Sequence, residues 1–88
     1  MTTTTTVQVT VRFFAAARAA AGNEVETIRL RPGTTVAELV AALSERDVEL
    51  AKVLKRCSFL CDGVAVRYLD AVLGNAQTLD VLPPFAGG

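Results

Sequence analysis

Thr35-Val36-Ala37-Glu38-Leu39-Val40-Ala41-Ala42-Leu43 is the stretch that decides how this 88-residue chain is built. Thr35 followed three positions later by Glu38 is a capping box, and Val36, Leu39, Val40 and Leu43 recur at the spacing of one helix face. Pro32-Gly33 just before it is a turn signal, so a capped amphipathic helix begins at a sharp bend. Working outward toward the N-terminus, Val25 to Leu30 reads as a strand, with Ile28 and Leu30 alternating against Arg29 and Arg31. Val25 is off-phase there, and a bulge near Glu26 is expected to reconcile it. Further back, Ala15 to Ala21 is a helix-favouring run closed by Gly22-Asn23, which tolerate a left-handed cap. Val7, Val9, Val11 and Phe13 alternate with Gln8, Thr10 and Arg12 as a strand with one face in a core.

Toward the C-terminus, Leu50, Val53, Leu54 and Cys57 repeat the helical spacing and leave Lys52, Lys55 and Arg56 outside the apolar stripe. Phe59 to Cys61 and Val64 to Val66 flank Asp62-Gly63, the dipeptide of a two-residue hairpin turn. After Gly74-Asn75, Thr78 to Leu82 alternates again, Leu79 and Val81 inward, until Pro83-Pro84 removes two ladder donors and ends the strand. Strands at both ends around a capped central helix argue for an α+β sheet with its helices on one face. The division that follows is a polar lead-in at 1–6, expected to be disordered, one domain at 7–82, and an extended tail at 83–88.

Composition narrows the function. An apolar share of 51% against 20% charged residues is that of a chain that folds, and at this length a single core forms without a deep interior cleft. A self-contained enzyme is therefore not expected. Nine Lys and Arg balance nine Asp and Glu, so no net field draws nucleic acid or anionic lipid. Histidine is absent, which removes Ser-His and Cys-His nucleophile systems and imidazole metal ligands. No metal site and no bound cofactor is expected. Cys57 and Cys61 are too few for a disulfide scaffold, and an extended stretch between them separates their Cα atoms by about 13 Å, beyond disulfide reach. They read as core residues of a reduced, cytoplasmic protein. Thr2 to Thr6 lacks the basic and apolar regions of a signal peptide, and charges interrupt every apolar run short of the roughly 18 residues that span a bilayer.

The chain ends Pro83-Pro84-Phe85-Ala86-Gly87-Gly88. Two terminal glycines arise by chance in about 0.5% of chains at ordinary glycine usage. Pro-Pro stiffens the exit from the sheet, and Gly-Gly has no Cβ to obstruct a narrow channel. The reactive group of such a tail is the Gly88 carboxylate, a poor electrophile until it gains a leaving group such as AMP. Residue chemistry alone leaves two readings, a tail that enters another protein's active site and a frayed end.

Three ordered motifs extend this. Phe13-Phe14-Ala15-Ala16-Ala17-Arg18, Pro32-Gly33-Thr34-Thr35-Val36-Ala37-Glu38-Leu39 and Leu82-Pro83-Pro84-Phe85-Ala86-Gly87-Gly88 together resemble the MoaD branch of the MoaD/ThiS sulfur carriers, the small subunits of molybdopterin synthases. The likeness covers Val7 to Gly88. It implies a ubiquitin-like β-grasp fold, a mixed sheet whose last strand runs parallel beside the first. It also implies a cycle in which an E1-like enzyme adenylates Gly88 with ATP and a persulfide sulfur donor displaces AMP. The resulting thiocarboxylate enters the large subunit of a heterotetrameric synthase and gives its sulfur to cyclic pyranopterin monophosphate in molybdenum cofactor biosynthesis. Pro83, Pro84, Phe85, Ala86 and Gly87 would thread the channel, and the catalytic side chains would belong to the large subunit. Three positions depart from the pattern. Cys61 replaces an asparagine, Ala19 replaces an acidic residue, and Gly74-Asn75-Ala76-Gln77 replaces Asp-Gly-Asp, all of which bear on partner choice.

Strand parity adds an interface. With Phe13 inward, Phe14 points to the other face, and Leu82 falls on that face with Thr78 and Asp80. If the first and last strands are neighbours, Phe14 and Leu82 form an exposed apolar patch at the root of the tail, extended by Phe85, the alternative being that Phe14 folds under the Ala15 to Ala21 helix. Arg18 is a candidate for pairing with an acidic partner surface, its alternative being plain solvation. Competing functions are a sulfur carrier for thiazole or cysteine synthesis, a protein modifier that forms isopeptides with lysine, and an interaction module that binds through its sheet.

Overall fold

Val9, Val11 and Phe13 are 0%, 0% and 1% exposed, so the alternation at the N-terminus becomes strand β1 (Val7–Phe13), with Gln8 and Arg12 left in solvent. The computed structural model describes residues 6–84; the expectations for Thr2 to Thr5 and for Phe85, Ala86, Gly87 and Gly88 fall outside them. After β1 the order is α1 (Ala15–Ala21), β2 (Val25–Leu30), α2 (Val36–Ser44), α3 (Val48–Leu54), β3 (Ser58–Cys61), β4 (Val64–Ala65) and β5 (Thr78–Leu82). The sheet order is β2-β1-β5-β3-β4. β1 and β5 are parallel neighbours, while β1–β2, β3–β5 and β3–β4 are antiparallel. Inward residues of β1, β3 and β5 form one core with Ala17 of α1, Val36, Leu39 and Leu43 of α2, and Leu50 and Leu54 of α3.

Local signals act where the sequence places them. The capping box at α2 is complete, with Glu38 N donating to Thr35 Oγ1 at 3.1 Å and Thr35 N donating to Glu38 Oε1 at 2.9 Å. The two remaining free donors of the first turn are met by the loop after β4. Val36 N reaches the Ala71 carbonyl at 3.0 Å and Ala37 N the Leu69 carbonyl at 2.8 Å, so every N-terminal N–H of the helix has an acceptor. That loop is further held by Leu73, 2% exposed, whose N–H donates to the Thr34 carbonyl at 2.9 Å. Sequence alternation did not anticipate Leu73, because an isolated anchor has no period. Asp62 and Gly63 have φ of 50° and 82°, the left-handed pair that closes the β3–β4 hairpin. Asp62 also ties the turn to β5, its Oδ1 accepting from Thr78 N at 2.9 Å.

Two expectations change. No bulge interrupts β2: its register with β1 runs unbroken from Val7↔Leu30 to Arg12↔Val25. Val25 therefore stays on the outward face, 53% exposed, and Glu26 points inward, where it pairs with Arg46. Cys57 lies beyond the end of α3 rather than on it, yet still packs against the core.

Candidate functional site

The parallel pairing of β1 and β5 sends both strands toward the same end of the sheet, so the turn into α1 and the exit toward the tail lie side by side. Arg12↔Asp80 and Phe13↔Val81 set the register. Phe14 N then donates to the Val81 carbonyl at 3.3 Å, which puts Phe14 beside Leu82. Both are half-buried. The Arg12 guanidinium carbon sits 5.1 Å from the centroid of the Phe14 ring, a cation–π distance, and Arg12 Nε lies 3.6 Å from Asp80 Oδ1. That oxygen is shielded from solvent and accepts no hydrogen bond from the described residues. Leu60 stands opposite Asp80 on β3, and Val25 opposite Arg12 on β2. The outward face thus carries Phe14, Leu82, Leu60 and Val25 around one ion pair.

Phe14 is also the N-cap residue of α1, and its carbonyl accepts from Ala17 N at 3.0 Å and Arg18 N at 3.3 Å. Ala15 makes the bend with a φ of 50°, a left-handed conformation that costs a non-glycine residue roughly 1 kcal/mol. Phe14 is thereby held by strand and helix at once. Arg18 has a partner within the chain, Glu24, at 3.8 Å. Both side chains are mostly exposed, so the pair contributes little to stability.

Pro83, half-buried, and Pro84, exposed, follow Leu82 and line a groove of about 480 Å³ with Ala16, Lys52, Val53, Lys55 and Arg56. Sequence reasoning placed the three cations outside the α3 stripe without bringing them to the tail root, which requires knowing that α3 packs beside α1. It also passed over Leu60 and Val25 as outward apolar positions. Leu60 was available from parity, since Phe59 next to it is inward. Tyr68, Leu69 and Val72, at 74%, 47% and 61% exposed, are large apolar residues of the β4–β5 loop that reach solvent, and no spacing marked them.

The two thiols are disfavoured as nucleophiles. Cys57 donates from Sγ to the Val53 carbonyl at 3.2 Å, and burial pushes its pKa up to about 11. Cys61 is raised by burial and then by the neighbouring Asp62 charge. Neither is the thiolate that sulfur chemistry at a side chain requires at neutral pH. Among the described residues no group of His, Cys, Asp and Glu is placed to hold a metal ion, and no helix is long and apolar enough to cross a membrane.

With this geometry in place, comparison with known proteins finds that the ThiS family matches residues 11–88, from the middle of β1 to the last glycine. The chain belongs to the ThiS family. This ThiS-family chain is 30% identical over 83 residues to a molybdopterin synthase sulfur carrier subunit from Chlamydomonas reinhardtii, a match over 93% of the chain and 100% of that relative. A Pyrococcus furiosus structure assigned as subunit 1 of a molybdopterin converting factor superposes with a TM-score of 0.80 at 25% identity, covering 90% of this chain and 99% of that one. A chain from the complex of subunits 1 and 2 of the Helicobacter pylori molybdopterin-converting factor gives 0.69 at 24% identity, over 93% and 100% of the two chains. The fold of the ThiS-family chain is thus the ubiquitin-like β-grasp of its neighbours.

Proposed function

We propose that this chain is the sulfur-carrier small subunit of a molybdopterin synthase. The observation that carries the reading is the alignment, over its full length, of a relative that is itself such a subunit. The geometry supports it, because the tail leaves β5 beside the outward apolar face of Phe14 and Leu82. A partner can bind that face and receive the tail together. In the proposed cycle the Gly88 carboxylate attacks the α-phosphorus of ATP on an E1-like enzyme and pyrophosphate leaves. A persulfide then displaces AMP at the acyl carbon, and a thiol cleaves the acyl disulfide to leave a thiocarboxylate. The large subunit draws Pro83 to Gly88 into its active site and transfers the sulfur to cyclic pyranopterin monophosphate. The small subunit acts as the donor, and the large subunit supplies the catalytic side chains.

Intact-mass spectrometry tests this directly. Incubation with ATP, a cognate E1-like activator and a persulfide source is expected to exchange one oxygen of the chain for sulfur. The exchange should persist in the Cys57→Ser, Cys61→Ser double variant, because the sulfur sits on the main-chain carbonyl. Gly88→Ala should fold normally by circular dichroism and lose sulfur transfer, its Cβ obstructing a channel shaped for glycine. Loss of the added sulfur in the folded double variant, or near-normal transfer by Gly88→Ala, overturns the reading.

A further inference from the structure

The groove at the tail root has an apolar floor and a cationic wall. Ala16 of α1, Val53 of α3 and the two prolines form the floor, and Lys52, Lys55 and Arg56 stand around it. Lys52 lies 3.5 Å from Glu49, with the two side chains 67% and 72% exposed, so that pair neutralises it only weakly. Among the described residues no carboxylate lies within ion-pair distance of Lys55 or Arg56. The chain as a whole carries nine charges of each sign, so the wall is a local excess in a neutral molecule. The helix dipole favours cations at the C-terminal end of α3. It does not account for their bordering the same cleft as Pro83 and Pro84.

We propose that this wall docks an acidic segment of the large subunit at the mouth of the site that takes the tail. The inference rests on the sulfur-carrier reading and adds a second contact surface, distinct from the outward sheet face. Pro83 and Pro84 line both the groove and the exit of the tail, so a protein that closes around the tail beyond Pro84 also covers the groove. Its chemistry follows from the lining. Carboxylates face Lys55 and Arg56, and an aliphatic side chain covers Val53 and Ala16. Such rim charges act mainly on the rate of encounter, drawing the two surfaces into register before the tail is threaded.

Stopped-flow association of the full chain with its large subunit, across a series of salt concentrations, reads this effect. The wild-type association rate is expected to fall as salt rises. The Lys55→Glu, Arg56→Glu double variant should associate about tenfold more slowly at low salt and lose most of its salt dependence, with Lys55→Gln, Arg56→Gln between the two. Because both side chains are exposed, the thermal midpoints should stay together, which separates docking from stability. An association rate unchanged by the double reversal overturns the proposal. Titration of the isotope-labelled chain with a peptide of one leucine flanked by glutamates supplies a readout independent of the carrier reading. Amide shifts confined to Ala16, Val53, Lys55 and Arg56, absent with the lysine counterpart, support an acid-binding groove, and the lack of any localised shift overturns it. Deletion of residues 85–88 should abolish sulfur transfer while leaving the peptide shifts in place. A wild-type chain that binds no large subunit overturns both the carrier reading and the partner named here, and the peptide shifts then report the groove's chemistry alone.

Discussion

Phe13 is 1% exposed in the core, whereas Phe14, one residue on, lies half-buried on the opposite face against the Arg12 guanidinium. A charge at each position is therefore expected to act differently. Phe14→Arg or Leu82→Arg places an uncompensated cation in the apolar part of the face and should weaken large-subunit binding by about tenfold or more, at a stability cost of about 1–2 kcal/mol. Val9→Arg, at a position 0% exposed, buries the charge outright and should cost more than about 4 kcal/mol. Urea denaturation beside a binding titration separates the two effects. If Phe14→Arg unfolds the domain as Val9→Arg does, the outward assignment of Phe14 is wrong.

At the scale of the element, α2 is the best-specified piece of the chain, because its cap, its apolar stripe and its loop contacts agree. Thr35→Ala removes the acceptor for Glu38 N while leaving the loop carbonyls over Val36 N and Ala37 N. The expected loss is about 1 kcal/mol, which lowers the melting temperature of a domain this size by roughly 4–8 °C. Thr35→Ser keeps the acceptor and should lose only a fraction of that. Thermal unfolding followed by circular dichroism checks both, and equal losses from the two substitutions would mean that the methyl group rather than the hydroxyl matters. α1 is the contrast: Phe14 offers no side-chain cap, and this helix depends on Ala17 in the core and on its packing beside α3.

For the whole molecule, the informative element is the edge strand β2. Glu26 faces inward among Ile28, Leu30, Leu39 and Leu43, with Oε1 2.9 Å from Arg46 Nη1 and Oε2 shielded and without a hydrogen bond from the described residues. The pair is only partly buried, with Arg46 45% and Glu26 25% exposed, so its net contribution is small. Arg46→Ala leaves the carboxylate without its cation and is expected to destabilise by about 1 kcal/mol or less, whereas Glu26→Leu joins the apolar neighbours and should be neutral or stabilising. Denaturant midpoints of the two variants should move in opposite directions or leave Glu26→Leu unmoved. A Glu26→Leu loss as large as that of Arg46→Ala would mean that the ion pair itself holds β2 to the turn after α2.

The amino-acid sequence by itself determined the elements, because alternation, capping and turn chemistry act over a few neighbouring residues. β1, β2, α2 and β5, the Asp62-Gly63 turn and the inward places of Val9, Val11, Leu79 and Val81 were all legible in this way. So was the pairing of Phe14 with Leu82, since parity fixes the face once β1 and β5 are neighbours. Tertiary structure decided what depends on the other side of the sheet. Off-phase Val25 suggested a bulge, but β2 lies at the edge, where the cost of exposing one valine is smaller than that of breaking the β1 ladder, and Glu26 reaches Arg46 in the turn after α2. Leu73 gained its buried place from α2, whose first-turn donors draw the preceding loop carbonyls to them. Lys52, Lys55 and Arg56 read as a solvated face, and only the packing of α3 beside α1 and the exit of β5 makes them the wall of a groove at the tail root.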